Sequence, residues 1–222
     1  MKLCVIGGAG ARSAFLTKSL VKSTRDIRVD HIVLLDNDQQ KLKTYGEISR
    51  ELARRLDPDL TFEVTSDARA ALTGVDYIIT TIRAGGDAGR LFDEQTCLAH
   101  GVLGQETTGA GGFAMAIRSV PTLVYYCTLA REVANPGHLI FNFTNPSGII
   151  TQALRSKGFD NVYGICDAPS GFIKQLEEIL EIPYGTLDIE CYGLNHLSWF
   201  RNAKVNGRDV QRELLDNPRT YE

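Results

Sequence analysis

The start of the chain constrains its fold more than any other part. Lys2–Ile6 (KLCVI) is an apolar run that breaks at Gly7-Gly8-Ala9-Gly10, and from Ser13 onward Phe15, Leu16, Leu20 and Val21 recur at helical spacing. A buried strand that enters a glycine turn and then a helix is the opening unit of an α/β sheet. The same alternation continues. Strands are predicted at His31–Leu35, Thr61–Thr65 and residues 75–82, 139–143, 162–165 and 187–192. Helices are predicted at residues 13–23, 38–56, 68–72, 114–133 and 170–180, with Asp57-Pro58 stopping the second and Pro121 kinking or splitting the fourth. Strands alternating with helices predict a parallel sheet covered on both faces.

Within this Rossmann-like, doubly wound frame the glycine turn has a chemical reading. Gly8-Ala9-Gly10-Ala11-Arg12-Ser13 fits G-x-G-x-x-G except at its last position, where Ser13 replaces glycine. Such glycines allow a tight turn and a close approach of backbone to a pyrophosphate, with the free N–H groups of the helix start facing the anion. Gly7, Gly8, Gly10, Ala11 and Arg12 are therefore candidate dinucleotide contacts. The second strand ends in Asp36, which can accept hydrogen bonds from a ribose 2′-OH and would repel a 2′-phosphate, so NAD is expected rather than NADP. The plainer alternative is an ordinary glycine-rich strand–helix turn.

Composition narrows the partners. The chain has 222 residues, 24 basic and 27 acidic, for a net charge of −3. That balance lacks the clustered basic excess of a nucleic-acid surface, yet it permits a phosphate pocket built from one or two arginines. The five cysteines are an odd number with no C-x-x-C pair, which favours a reducing compartment over a disulfide framework. Lys2 leads straight into a strand with no signal peptide before it, and no run of about 18 apolar residues suggests a membrane partner. The expected location is the cytoplasm.

Residues 83–112 read differently, as a long charged loop with eight glycines together with Arg83, Arg90, Asp93, Glu94 and Glu106. Loops of that kind in a compact domain are often functional. Three polar clusters then follow predicted strands: Asn145-Pro146, Cys166-Asp167 and Asn195-His196. Ligands of open α/β sheets bind at such carboxyl ends. A thiolate with an imidazole makes a borderline-soft site for a divalent transition metal, with positions open to substrate and water. Taken singly, a small buried cysteine, a structural histidine and a turn-forming Asn-Pro explain the same residues.

Five motifs occur in order: Gly7-Gly8-Ala9-Gly10, Gly104-Gln105-Glu106-Thr107-Thr108-Gly109, Asn142-Phe143-Thr144-Asn145-Pro146, Cys166-Asp167-Ala168-Pro169 and Gly193-Leu194-Asn195-His196. Together they resemble the family 4 glycoside hydrolases, NAD- and manganese-dependent enzymes related in fold to lactate and malate dehydrogenases. The resemblance implies Cys166 and His196 as Mn²⁺ ligands and Arg90, Asn145 and Asn195 as substrate contacts. It implies Asp167 as proton donor, and Glu106 as the residue that raises the basicity of a catalytic tyrosine. That tyrosine lies beyond His196 in longer family members, in a part this chain lacks, and Tyr221 stands in no matching motif. The implied reaction is transient oxidation at C3, loss of the C2 proton, elimination of the C1 oxygen, addition of water and return of the hydride. It departs from the two-carboxylate route, to which NAD-dependent family 4 enzymes are a known exception.

Asp167, following the cysteine, points to a 6-phosphorylated substrate and leaves a 6-phospho-β-glucosidase and a 6-phospho-α-glucosidase both open. The expected partner is thus a phosphorylated disaccharide or glucoside, with a homo-oligomer at full length. Residues 1–192 are expected to form the NAD-binding domain and 193–222 the start of an α+β substrate domain. The alternatives are a lactate/malate-type 2-hydroxyacid dehydrogenase, or an inactive NAD-binding fragment.

Overall fold

In β1 (Lys2–Ile6) and β2 (His31–Leu35) every second side chain faces the same way. Leu3, Val5, Ile32 and Leu34 join one hydrophobic cluster, while Cys4, Ile6, Val33 and Leu35 join the other. Strands buried on both faces have no polar alternation, which is why they stood out in the sequence as continuous apolar runs. The computed structural model, which describes residues 1–221, continues them with β3 (Thr61–Thr65), β4 (Tyr77–Thr80), β5 (Leu139–Asn142) and β6 (Val162–Gly164). All six strands pair in parallel in the order β3-β2-β1-β4-β5-β6. The strand order reverses between β1 and β4, the switch point at which such sheets bind ligands.

The helices of this unit are α1 (Ser13–Ile27), α2 (Gln39–Lys41), α3 (Glu47–Leu56), α4 (Ala68–Leu72), α5 (Gly86–Ala99), α6 (Gly109–Val133) and α7 (Ser147–Ser156). Three expectations change here. The single helix expected over 38–56 is interrupted by a π turn at Leu42–Gly46. A Cβ on Gly46 would stand 2.6 Å from a Val64 methyl, so glycine lets the helix lie close on β3. The stretch 83–112 is not one long loop, because most of its first half is α5. And Pro121 does not split its helix in two, because α6 runs through it as one helix.

By length and composition alone α6 could cross a membrane. Its Met115, Ala116, Ser119, Leu123, Cys127, Leu129 and Ala130 are buried, and the last four of its apolar members sit in the sheet's core cluster.

Contacts divide the chain after Ile165, not after Tyr192. The second unit holds α8 (Ala168–Ile179), β7 (Leu187–Leu194), β8 (Leu197–Val205), β9 (Arg208–Asp209), α9 (Gln211–Asp216) and a 3₁₀ turn at Pro218–Tyr221. The strand expected at 187–192 is therefore not part of the parallel sheet. It is β7 of an antiparallel sheet ordered β7-β8-β9. Leu176, Leu187, Ala203, Val210 and Leu214 are its core.

Glu177 is buried in this unit, and its Oε1 accepts from the backbone N–H groups of Thr186 at 2.9 Å and Leu187 at 3.0 Å. Glu177→Ala leaves both donors without a partner inside the fold. It is expected to lower stability by about 1–3 kcal/mol, with faster amide exchange in β7 as the local sign. Unchanged protection there would refute the assignment.

Candidate functional site

The glycine turn is shaped by close approach. The N–H groups of Gly7 and Gly8 both donate to Leu35 O, at 2.8 and 3.0 Å, which folds the turn over the end of β2. Gly7 has φ +83°, and a Cβ there would stand 2.7 Å from Thr81 O; one on Gly8 would stand 2.8 Å from Val5 O. Gly10 differs, because a Cβ there would meet nothing within 4 Å. The fold itself requires glycine at 7 and 8, whereas the open space at Gly10 fits the approach of an outside group. Ala11 and Arg12 are exposed between Gly10 and the first residue of α1. Asp36 links the two loops, its Oδ2 accepting from Ala9 N at 3.2 Å and its Oδ1 from Asp38 N at 3.0 Å. These residues fit a dinucleotide, with a pyrophosphate at the helix start and the Asp36 carboxylate toward a ribose.

A second cluster occupies the glycine-rich stretch. Arg83 Nη2 and Arg90 Nε lie 3.2 and 3.3 Å from the same oxygen of Glu106, and Arg90 Nε also donates to Glu94 at 2.8 Å. The hydrogen bond to Glu94, with the Glu106 charge behind it, raises the Arg90 pKa further above its ordinary value. Glycines place Glu106 there. A Cβ on Gly104 would stand 2.5 Å from Glu94 O in α5, and one on Gly112 would stand 2.6 Å from the Thr107 carbonyl carbon. Backbone takes the room that side chains would fill.

Asn145 is half-buried after β5, ahead of α7, and is joined to Pro146 by a cis peptide bond. Behind it Asn142 is fully buried. Its Oδ1 accepts from Thr80 Oγ1 at 2.8 Å and Thr144 N at 3.2 Å, and its Nδ2 donates to Thr151 Oγ1 at 3.1 Å. In the sequence Asn142 stands out only as the first residue of the Asn142–Pro146 motif. A polar residue closing an apolar strand was the available sign of its role.

In the second unit Cys166 Sγ and His196 Nε2 lie 3.7 Å apart. An ion bonded at about 2.3 Å to sulfur and about 2.1 Å to nitrogen holds those atoms about 3.1–3.8 Å apart at ligand angles of about 90–120°. The pair therefore fits two positions on one metal ion. Among the described residues no group of three or more His, Cys, Asp or Glu is placed to hold a metal, so other positions would fall to water or substrate. His196 sits in the two-residue turn between Leu194 and Leu197, with φ +59°. It belongs to a hairpin and not to the end of a parallel strand.

The pair lines a cleft of about 390 Å³ with Asn195, Cys191, Ser198, Phe172 and Phe200. Asn195 Oδ1 is buried there without a hydrogen-bond partner. Asp167 is exposed at the start of α8, and its side chain makes no capping bond. Cys191 and the Phe172–Phe200 pair, whose ring centroids are 4.7 Å apart, carry no sign of a site in the sequence. Only the antiparallel register, which sets Cys191 opposite Phe200, brings them to the cleft.

Burial separates the thiols. It pushes the Cys4 and Cys127 thiols up to about 12, while Cys166 is half-buried and Cys191 exposed. At pH 8 a thiol reagent is expected to modify Cys166 and Cys191 in the folded chain and to reach Cys4 and Cys127 only after unfolding. Mass mapping of the labelled peptides checks this; early labelling of Cys4 would contradict it.

A family model for the family 4 glycosyl hydrolases matches residues 2–182. The 6-phospho-beta-glucosidase BglT of Thermotoga maritima is 35% identical over 219 residues, covering 98% of this chain and 51% of that protein. A crystal structure of a 6-phospho-alpha-glucosidase from gut microorganisms, in complex with NAD and Mn²⁺, superposes with a TM-score of 0.90 at 31% identity. It covers 96% of this chain and 49% of the other. Malate dehydrogenase from Salinibacter ruber superposes with a TM-score of 0.69 at 18% identity, over 100% of this chain and 64% of that one, a likeness of fold alone. The chain spans about half the length of the curated relatives it matches. With a match across most of its length, this chain belongs to the family 4 glycosyl hydrolases.

Proposed function

We propose that the chain forms the NAD- and divalent-metal-binding part of a glycosidase that cleaves 6-phosphoglucosides. The observation that carries this reading is the Cys166–His196 pair at ligand spacing, set in a cleft beside an unpartnered amide oxygen. Gly7, Gly8, Gly10, Ala11, Arg12 and Asp36 would hold NAD, and Cys166 and His196 would hold Mn²⁺. Bound there, NAD supplies a reversible hydride acceptor, and the cation supplies positive charge for sugar oxygens.

The chain's own groups carry the remaining tasks. Asn195 Oδ1 accepts a hydrogen bond from a sugar hydroxyl, which gives a buried acceptor its missing donor. Asp167, exposed and without a capping bond, relays a proton from solvent to the departing glycosidic oxygen. Arg90 uses Nε on Glu94 and Glu106, which leaves its terminal nitrogens for a phosphate or sugar oxygen. Glu106, held by two arginines, keeps that guanidinium in place, and Asn145 adds a further amide to the sugar.

The test is an assay of the polypeptide that carries this chain, with 4-nitrophenyl 6-phospho-α- and -β-glucosides, NAD⁺ and Mn²⁺. The expected result is nitrophenol release that needs both additions and accumulates no NADH. Net NADH from a 2-hydroxyacid, with no glycoside cleavage, would replace the proposal with a dehydrogenase.

A further inference from the structure

Arg118 lies in α6 and reaches across to α5. Its Nη1 donates to Asp93 Oδ1 at 3.0 Å, its Nη2 bonds the other oxygen of the same carboxylate, and its Nε donates to Ala84 O at 3.3 Å. Asp93 is only 6% exposed and Arg118 31%. The first turn of α5 makes room for this side chain, because a Cβ on Gly85 would stand 3.0 Å from Arg118 Nε and one on Gly89 3.5 Å. Arg83 precedes Gly85 by two residues, and Arg90 follows Gly89 directly.

We infer that Arg118 is a positioning residue that fixes the start of α5 so that Arg83 and Arg90 converge on Glu106. Glu106 is set from the other side, by a loop pressed between Glu94 of α5 and Gly112 of α6. The two arginines and their carboxylate thus come from segments that only the α5–α6 packing brings into register. Arg118 makes that packing directional. A planar guanidinium binding both oxygens of one carboxylate fixes an angle as well as a distance, which a lysine would not. Its nitrogens are engaged on Asp93 and Ala84 O, so it acts through Arg83 and Arg90. The inference rests on the proposed role of those two arginines at a substrate anion.

The test uses the polypeptide that carries this chain and its double variant Arg118→Met with Asp93→Leu. Replacing a shielded ion pair by apolar side chains of similar size keeps the fold while removing the directional tie. Four quantities are compared: the unfolding midpoint, NAD⁺ affinity by calorimetry, the Nε–Hε NMR signals of Arg83 and Arg90, and glucose 6-phosphate binding. The expected result is an unchanged midpoint and NAD⁺ affinity, with the two arginine signals lost to exchange. Amide exchange across Gly86–Ala99 should be faster by about tenfold. Arg118→Lys should lose the same signals, because one charge without the planar fork does not restore the geometry.

Arginine signals and α5 exchange like those of the parent chain would overturn the inference. So would failure of both variants to fold, or a uniform loss of protection across the sheet, since either marks a general core role. Glucose 6-phosphate reports separately on the substrate reading: no binding by the parent chain counts against that reading, while the arginine signals still decide the role of Arg118.

Discussion

Replacing Cys166 by serine or His196 by alanine is expected to weaken Mn²⁺ binding by about a hundredfold or more while NAD⁺ binding persists. Outer-shell changes at metal sites alone cost about 10–100-fold in affinity. With only two protein donors at ligand spacing and no third among the described residues, loss of either removes half of the protein's hold. A serine hydroxyl does not replace a thiolate, and binding releases the thiol proton, so affinity for Mn²⁺ should rise with pH. The opposing view makes Cys166 a packing residue, in which case the serine variant loses stability and keeps its metal. Electron paramagnetic resonance of Mn²⁺ titrated into each variant separates the two. Cys191→Ser serves as control, because Cys191 lines the same cleft without joining a ligand group. Parent-like Mn²⁺ binding by either the Cys166 or the His196 variant would remove the metal site. Mn²⁺ should also shield Cys166, but not Cys191, from a thiol reagent.

Some of this architecture was legible in the sequence and some was not, for physical reasons. The parallel sheet was legible because strands buried on both faces run apolar at consecutive positions, as in Ile32, Val33, Leu34 and Leu35 of β2. The hairpin of β7 and β8 was not. Its turn is Asn195-His196, and His196 takes the left-handed conformation that a glycine usually marks. Without that sign β7 passed for one more parallel strand, and the domain boundary was placed too late. The glycines of 83–112 misled in the other direction. They suggested a loop, yet Gly104, Gly111 and Gly112 serve close backbone packing around a helix.

At the site, Cys166 and His196 could be singled out by residue type, while their 3.7 Å separation needed the fold. The pairing of Arg118 with Asp93 gave no local sign, because the two lie on different helices, 25 residues apart. Glu106 was named for its motif, but its pairing with Arg83 as well as Arg90 depends on where α5 begins.

Alanine at Gly10 and alanine at Gly7 are expected to fail in opposite ways, and the contrast tests the dinucleotide site. At Gly7 φ is +83° and a Cβ would stand 2.7 Å from the backbone oxygen of Thr81. Left-handed strain for a side chain costs about 1–3 kcal/mol, and the clash with backbone adds to it, so Gly7→Ala should lower the unfolding midpoint and lose NAD⁺ together. At Gly10 the same methyl meets nothing within 4 Å. A glycine-to-alanine change in such a position leaves the fold unstrained and reduces the freedom of the unfolded chain, a gain of about 0.4–1 kcal/mol where the backbone angles suit alanine. A pyrophosphate drawn to the N-terminus of α1 would need that same space, so Gly10→Ala should keep or slightly raise the midpoint while NAD⁺ binding falls by about tenfold or more. Urea unfolding and calorimetry on the same samples give both quantities. Full NAD⁺ affinity in Gly10→Ala would mean that the dinucleotide does not approach through this opening, and the glycine turn would then be a feature of folding alone.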